Sequence, residues 1–207
     1  DVGAVRVLKL LGIERWQLGQ NDQAIALLKQ VIDIRTQSLG PNHVETLKAA
    51  EDLGLVLQKQ GKVSEALALF EHVRDGRRTQ LGAEHPSTLN VMHNIALTYR
   101  DNLQYDLAIP MLEKVRDARK VHFGPNHPTT ITTESVLAAA YLGNNQMTQA
   151  LPLLEKVYAA RVASHGPENP ATLITGNDLA SAYRILGRND EAISMFTKVR
   201  AAQTAAL

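Results

Sequence analysis

Leu81-Gly82-Ala83-Glu84-His85-Pro86-Ser87-Thr88-Leu89 decides the fold, because its landmarks return along the chain at one fixed interval. Gly40, Gly82, Gly124 and Gly166 are spaced by 42 residues, and Thr46, Thr88, Thr130 and Thr172 keep the same step. So do Ala24, Ala66, Ala108, Ala150 and Ala192, and Val31, Val73, Val115, Val157 and Val199. Such a period marks a solenoid, in which each unit buries its apolar face only against its neighbours. The 207 residues therefore read as one elongated domain with repeats over about 1–40, 41–82, 83–124, 125–166 and 167–207.

The quoted stretch is a turn followed by a helix start. Pro86 suits the first helical position, where its missing N–H is no loss, and His85, replaced by Asn169 in the last copy, is the expected capping residue. Helix A of each repeat follows, to about Asn102 in this copy, with Met92, Ile95, Ala96 and Tyr99 forming one buried stripe. Gly19, Gly61, Asn145 and Gly187 are placed to end helix A in a left-handed residue. Leu103 breaks that rule, which predicts a different turn in the third hairpin, through Asn102. Asp22, Ser64, Asp106, Thr148 and Asp190 share one register and are expected to cap helix B, which runs for roughly 17 residues or about 25 Å. Pro110 and Pro152 fall near its first turn. Gly12, Gly54, Ala96, Ala138 and Ala180 on helix A, with the recurring alanines on helix B, predict a close crossing of small residue on small residue. Leu53, Ile95, Leu137, Leu179, Phe70, Leu112, Leu154 and Phe196 would fill its flanks. Ala108→Leu should overpack that crossing and cost about 1–3 kcal/mol, read by thermal unfolding.

Composition narrows the function. Hydrophobic residues make up 44%, and no apolar run approaches the roughly 18 residues that span a bilayer, so a membrane protein is not expected. Lys and Arg total 22 against 21 Asp and Glu, with the signs mixed along the chain, and aromatic residues are only 4%. A nucleic-acid partner would need a basic face and stacking rings, and neither is present. The chain has no cysteine, which excludes disulfides and thiolate metal sites and fits a reducing, cytoplasmic location. Asp1 stands where a signal leader or initiator Met would, and Leu207 falls within a helical pattern, so the chain is expected to be a fragment of a longer protein.

The small residue at Ala96, preceded by Ile95 and followed by Tyr99, with Ala108 and the Phe70-type residues of helix B, resembles the tetratricopeptide repeat pattern. The period exceeds the usual 34 or so of that family. Its longer connecting segment is similar to the kinesin light chain type, which also occurs in multidomain signalling proteins beside kinase or nucleotide-binding modules. The resemblance implies an all-α, right-handed α-solenoid of about five helix-turn-helix hairpins covering essentially the whole chain.

No catalytic, cofactor or metal site is expected. His43, His85 and His127 occupy one repeat position, which would set them a hairpin apart, and with the nearby His122 they are better read as capping and surface residues than as metal ligands. No helical zinc spacing and no glycine-rich phosphate loop occurs, and an enzyme is not expected. Arg35, Arg77, Arg119 and Arg161 recur near the end of each helix B, where a cation complements the helix dipole and can reach the last carbonyls.

The positions that vary are the candidates for recognition. By the resemblance, helix A lines a concave groove through four registers: Arg6, Lys48, Asn90, Thr132 and Ile174; Lys9, Glu51, His93, Ser135 and Asn177; Ile13, Leu55, Leu97, Ala139 and Ser181; and Trp16, Gln58, Arg100, Leu142 and Arg184. Asn94 and Asn177 match the family's asparagines that pair with the backbone of an extended peptide, although Asp52, Val136 and Asp178 depart from that motif at the register of Asn94. Leu97 and Leu142 would form apolar pockets, and Trp16 would either anchor a partner or close the first hairpin. The family's clamp for a terminal carboxylate is absent, since Ile13, Asp52 and Asn90 stand at positions it needs. The expected function is a scaffold that binds a protein or peptide in the groove. The alternative is a structural or regulatory arm of a multidomain signalling protein that self-associates through exposed solenoid ends or packs against a kinase or nucleotide-binding module elsewhere in the chain.

Overall fold

The computed structural model describes residues 2–205. Among them are ten helices and no strand: α1 (Val2–Gln17), α2 (Asn21–Leu39), α3 (Val44–Lys59), α4 (Val63–Leu81), α5 (Pro86–Asp101), α6 (Tyr105–Phe123), α7 (Pro128–Gly143), α8 (Met147–His165), α9 (Pro170–Ile185) and α10 (Asn189–Ala205). Odd-numbered helices are the A helices, and even-numbered ones the B helices. The chain divides into two compact units, one ending at Asn102 and the other starting at Leu103. Within each unit every helix packs against the next, and the A helices also touch, α1 on α3, α3 on α5, and α7 on α9.

The interval of the sequence is the interval of the structure because nearly the same bonds close successive repeats, although the Thr172 hydroxyl is buried without the bond its counterparts make. Helix B ends at a glycine, Gly40, Gly82, Gly124 or Gly166, with φ between 85° and 96° and ψ near 160°, a conformation open in practice only to glycine. The recurring threonine then reaches back: Thr46, Thr88 and Thr130 donate Oγ1–H to the carbonyls of Gly40, Gly82 and Gly124 at 2.9–3.0 Å. At the start of the next helix A the capping residue is extended, and its side chain accepts from the N–H two residues on. His43, His85 and His127 do this through Nδ1, and Asn169 through Oδ1.

The turn inside each hairpin differs from the sequence reading. Helix B begins at Asn21, Val63, Tyr105, Met147 and Asn189, so Asp22, Ser64, Asp106, Thr148 and Asp190 lie inside its first turn rather than before it. The capping positions are Gln20, Lys62, Gln104 and Gln146, none with a side-chain cap bond. Their ψ values, 62–66°, are not extended, and only an extended cap holds its side chain over the orphan N–H groups. The aspartates in that turn act instead on the helix dipole. Leu103 also departs from expectation. It does not divert the turn, but takes the left-handed conformation itself at φ 59°, matching Gly61 at 72° and Asn145 at 57°. The B helices of the first four hairpins run for 19 residues, two more than expected. Pro110 and Pro152 consequently fall in the second turn.

The core follows the recurring registers. Val31, Val73, Val115 and Val157 are fully buried, as are Ala24, Ala66, Ala108 and Ala150. At two of the crossings a glycine of helix A meets a large side chain of helix B. A Cβ added at Gly54 would come within 2.6 Å of the Phe70 ring, and one at Gly12 within 3.2 Å of Leu28. Glycine on helix A thus makes room for the bulky side chain of helix B.

Candidate functional site

Most of the variable positions on the A helices are partly solvent-accessible, and several are already engaged within the chain. In the first unit Lys9 pairs with Asp52 at 2.7 Å, tying α1 to α3. Glu51 receives Nη2 of Arg77 from α4, also at 2.7 Å. Arg100 pairs with its neighbour Asp101. Trp16, Gln58, Asn94 and Leu97 are half-buried, His93 is buried, and Lys48 and Asn90 are exposed. In the second unit Ser135, Leu142 and Asn177 are half-buried and Arg184 is exposed.

The first unit brings some of these residues together. Between α1, α3 and the end of α2 lies a cleft of about 620 Å³. Val5, Leu10, Ile13 and Leu39 give it apolar walls, while Arg6 and Lys48 stand beside the Lys9–Asp52 and Arg35–Glu45 pairs. Both ion pairs hold their cations mostly out of water, Lys9 at 13% and Arg35 at 11% side-chain exposure. Arg6, Lys9, Ile13 and Lys48, which line it, belong to the registers named as candidates. Trp16, Gln58, Asn94, Leu97 and Arg100 do not line it.

The recurring arginines reach beyond their own helix. Each Nη1 donates to a carbonyl in the first turn of the following helix A: Arg35 to Glu45, Arg77 to Ser87, Arg119 to Thr129 and Arg161 to Ala171, at 2.8–3.0 Å. They are clamps between successive repeats. Burial pushes the Arg119 and Arg161 guanidinium groups below the usual arginine range.

Three features carry polar chemistry that repeat reading missed. Glu134 on α7 is fully buried, between Lys156 of α8 at 2.6 Å and Lys120 of α6 at 3.1 Å. Tyr141 donates its hydroxyl to Glu113, and Tyr183 donates to Glu155 at 2.9 Å. Burial, then the hydrogen bond to the carboxylate, pushes each of these phenols up to about 12. The signal was present, because Glu134 stands where other copies carry Ala50, Met92 and Gly176, and the tyrosines where the second repeat carries Leu57. Among the described residues no group of three or more His, Asp or Glu side chains is placed to hold a metal ion. Nor is any helix among them long and apolar enough to cross a membrane.

A chain of stacked helical hairpins, with a fixed frame and variable residues along its A helices, is a repeat scaffold of the kind that generally mediates protein–protein interaction. The profile of the tetratricopeptide repeat matches residues 4–79, 49–120, 87–161 and 129–205, and the chain belongs to that family. The crystal structure of nearly identical TPR-like repeats ascribed to a Podosopora anserina kinesin light chain is 32% identical. It aligns over 99% of this chain and 97% of that one, with a TM-score of 0.81. BtubC (BKLC) from P. vanneervenii shares the fold at 16% identity, over 97% of this chain and 80% of that one, with a TM-score of 0.83. MamA from Desulfovibrio magneticus RS-1 shares it at 18% identity, over 97% and 96%, with a TM-score of 0.71. No curated protein matches the chain by sequence.

Proposed function

We propose that the A-helix face of this chain binds an extended peptide or a helix of a partner protein. The cleft between α1 and α3 carries the reading: it is about 620 Å³ in volume, walled by apolar side chains and edged by Arg6 and Lys48, which vary from repeat to repeat. Its ion pairs already hold Lys9 and Asp52 in place, so these two shape the surface and leave Arg6 and Lys48 to meet a ligand. Asn94 and Asn177, each half-buried on its own unit, offer a donor and an acceptor to a peptide backbone. A single such bond contributes only about 1 kcal/mol net, so binding requires several positions together. The test is a peptide selected from a random display library against the full chain, with affinity followed by fluorescence anisotropy. Lys48→Glu, and Asn94→Ala combined with Asn177→Ala, should each weaken it tenfold or more while the helical circular-dichroism spectrum stays unchanged. Unaltered affinity in both variants would reject the groove.

A second reading rests on α10. Ile193 is 65% exposed where its counterparts Ile25 and Ile109 are 8% and 9%, and Phe196 is 39% exposed where Phe70 is fully buried. This apolar face fits a structural or self-associating arm. Light scattering across a concentration series tests it, since a strict monomer excludes self-association, and Ile193→Lys should dissolve any dimer that uses the face.

A further inference from the structure

A second cleft lies away from the A-helix groove, and none of the candidate groove residues lines it. It sits in the first unit between α2, α3 and α4 and measures about 380 Å³. Its floor is Ile32, Leu53, Leu57 and Leu69. Its rim carries Lys29 and two carboxylates, Asp33 and Glu65, beside the exposed Ala68.

The repeat itself shows what belongs in such a place. Leu57 shares its register with Tyr99, Tyr141 and Tyr183, and Lys29 shares its register with Glu71, Glu113 and Glu155. In the second unit the tyrosine ring occupies the gap between successive hairpins, and its hydroxyl donates to a carboxylate: Tyr141 to Glu113 and Tyr183 to Glu155. Tyr141 is only 6% exposed there. Glu191, which occupies the register of Glu65, is close enough to Tyr183 to add to the upward push on its phenol. The first interval has lost both the ring and its acceptor: leucine replaces tyrosine, and lysine replaces glutamate. It keeps the apolar walls and retains carboxylates at Asp33 and Glu65.

We infer that this cleft is a socket for a tyrosine side chain of a partner protein, with the ring against Ile32 and Leu69, above the buried Leu53 and Leu57, and the phenol hydroxyl donating to Glu65. The socket would take between molecules the same kind of contact, a ring over apolar side chains with its hydroxyl on a carboxylate, but with the acceptor moved from the register of Lys29 to that of Glu65 and Glu191. A phenol is the fitting occupant because the rim has acceptors to spare: Lys29 can balance one of the two carboxylates, and the other is left to take a proton donor. An aromatic ring also brings the area that dominates small docking sites.

The probe is p-cresol, the tyrosine side chain on its own, titrated into the full chain with amide chemical shifts as the readout. Saturable shifts confined to α2, α3 and α4 are expected, with toluene binding at least fivefold more weakly. Ala68→Trp, at an exposed rim position, should plug the mouth and weaken p-cresol at least tenfold without touching the core. Leu57→Tyr with Lys29→Glu should restore the lock of the second unit, raise the melting temperature and abolish binding. Glu65→Ala should remove the preference for p-cresol over toluene. The socket is overturned if p-cresol gives no saturable shifts there, if toluene binds equally well, or if Ala68→Trp binds as the parent does. None of these outcomes depends on the A-helix groove, so the two readings fail separately.

Discussion

The two units are built on one frame and differ in how that frame is tied. In the first, the clamping arginines end on carboxylates: Arg35 on Glu45 at 2.9 Å and Arg77 on Glu51 at 2.7 Å. In the second they end on hydroxyls, Arg119 on Thr133 at 2.6 Å and Arg161 on Thr175. The bond to the next helix's first-turn carbonyl is common to all four, because a backbone carbonyl is present whatever the side chain is. The lesson is that this repeat holds its geometry through main-chain acceptors and leaves the side-chain acceptor free to change.

The sharpest contrast is Glu134, a fully buried carboxylate in the second unit at a register that the first unit fills with Ala50 and Met92. Replacing both Lys120 and Lys156 with Met strands that charge and should cost about 3–5 kcal/mol in urea unfolding. Adding Glu134→Met to the same chain should recover most of the loss. The single change Glu134→Met should be neutral or stabilising, because the two lysines are about one-third exposed and can turn their ammonium groups to water. A large penalty for the single change would mean that the second unit needs the charge and differs from the first in kind.

The helix crossings give the next contrast. The first unit pairs Gly54 with Phe70, while the same registers in the second unit hold Ala138 and Leu154. Gly54→Ala would press a methyl group into the ring and should cost about 1–3 kcal/mol in thermal unfolding. Phe70→Leu in the same chain should return most of it, converting one unit's solution into the other's. Additive losses would show that the pairs are not interchangeable.

These cases also show what the sequence could reveal. The His43, His85, His127 and Asn169 caps and the ten described helices were legible because each depends on residues acting on backbone a few positions away. The cap of helix B was misread because the side chains suit the role, but the φ and ψ of Gln20 and its equivalents do not. The ties of the candidate site were not legible. Lys9 meets Asp52 and Arg77 meets Glu51 across packed helices, and only the stacking of repeats brings such distant residues into contact. The registers named candidate positions on the A helices, but not which of their charges were already spent on neighbours.

Leu103 marks a smaller difference. The first unit turns its second hairpin at Gly61, φ 72°, and the second unit starts with a leucine at φ 59°. A left-handed leucine costs about 1–2 kcal/mol, against roughly 0.5–1 kcal/mol for the extra chain entropy of glycine. Leu103 is 72% exposed, so its side chain adds little packing in return. Leu103→Gly should therefore stabilise the chain by up to about 1 kcal/mol, read as a rise in melting temperature.

The tyrosine locks are the finest difference. At neutral pH, Tyr141→Phe and Tyr183→Phe should each cost about 0.5–1.5 kcal/mol, the net worth of one hydrogen bond. The alkaline range separates them from a merely apolar contact. Both phenols are pushed from 10 to about 12 by burial and then by their carboxylate partners, so the folded chain holds these protons more tightly than the unfolded one. Their contribution is complete below pH 10 and is lost as the pH rises through 12. The parent should therefore lose stability between pH 10 and 12, and the double phenylalanine variant should lose less over the same interval. Amide exchange resolved by residue should place the parent's loss in α6 to α9. The first interval of the first unit, with Leu57 in place of the tyrosine, should show no such alkaline change. If it softens equally, the phenols are not what distinguishes the two units.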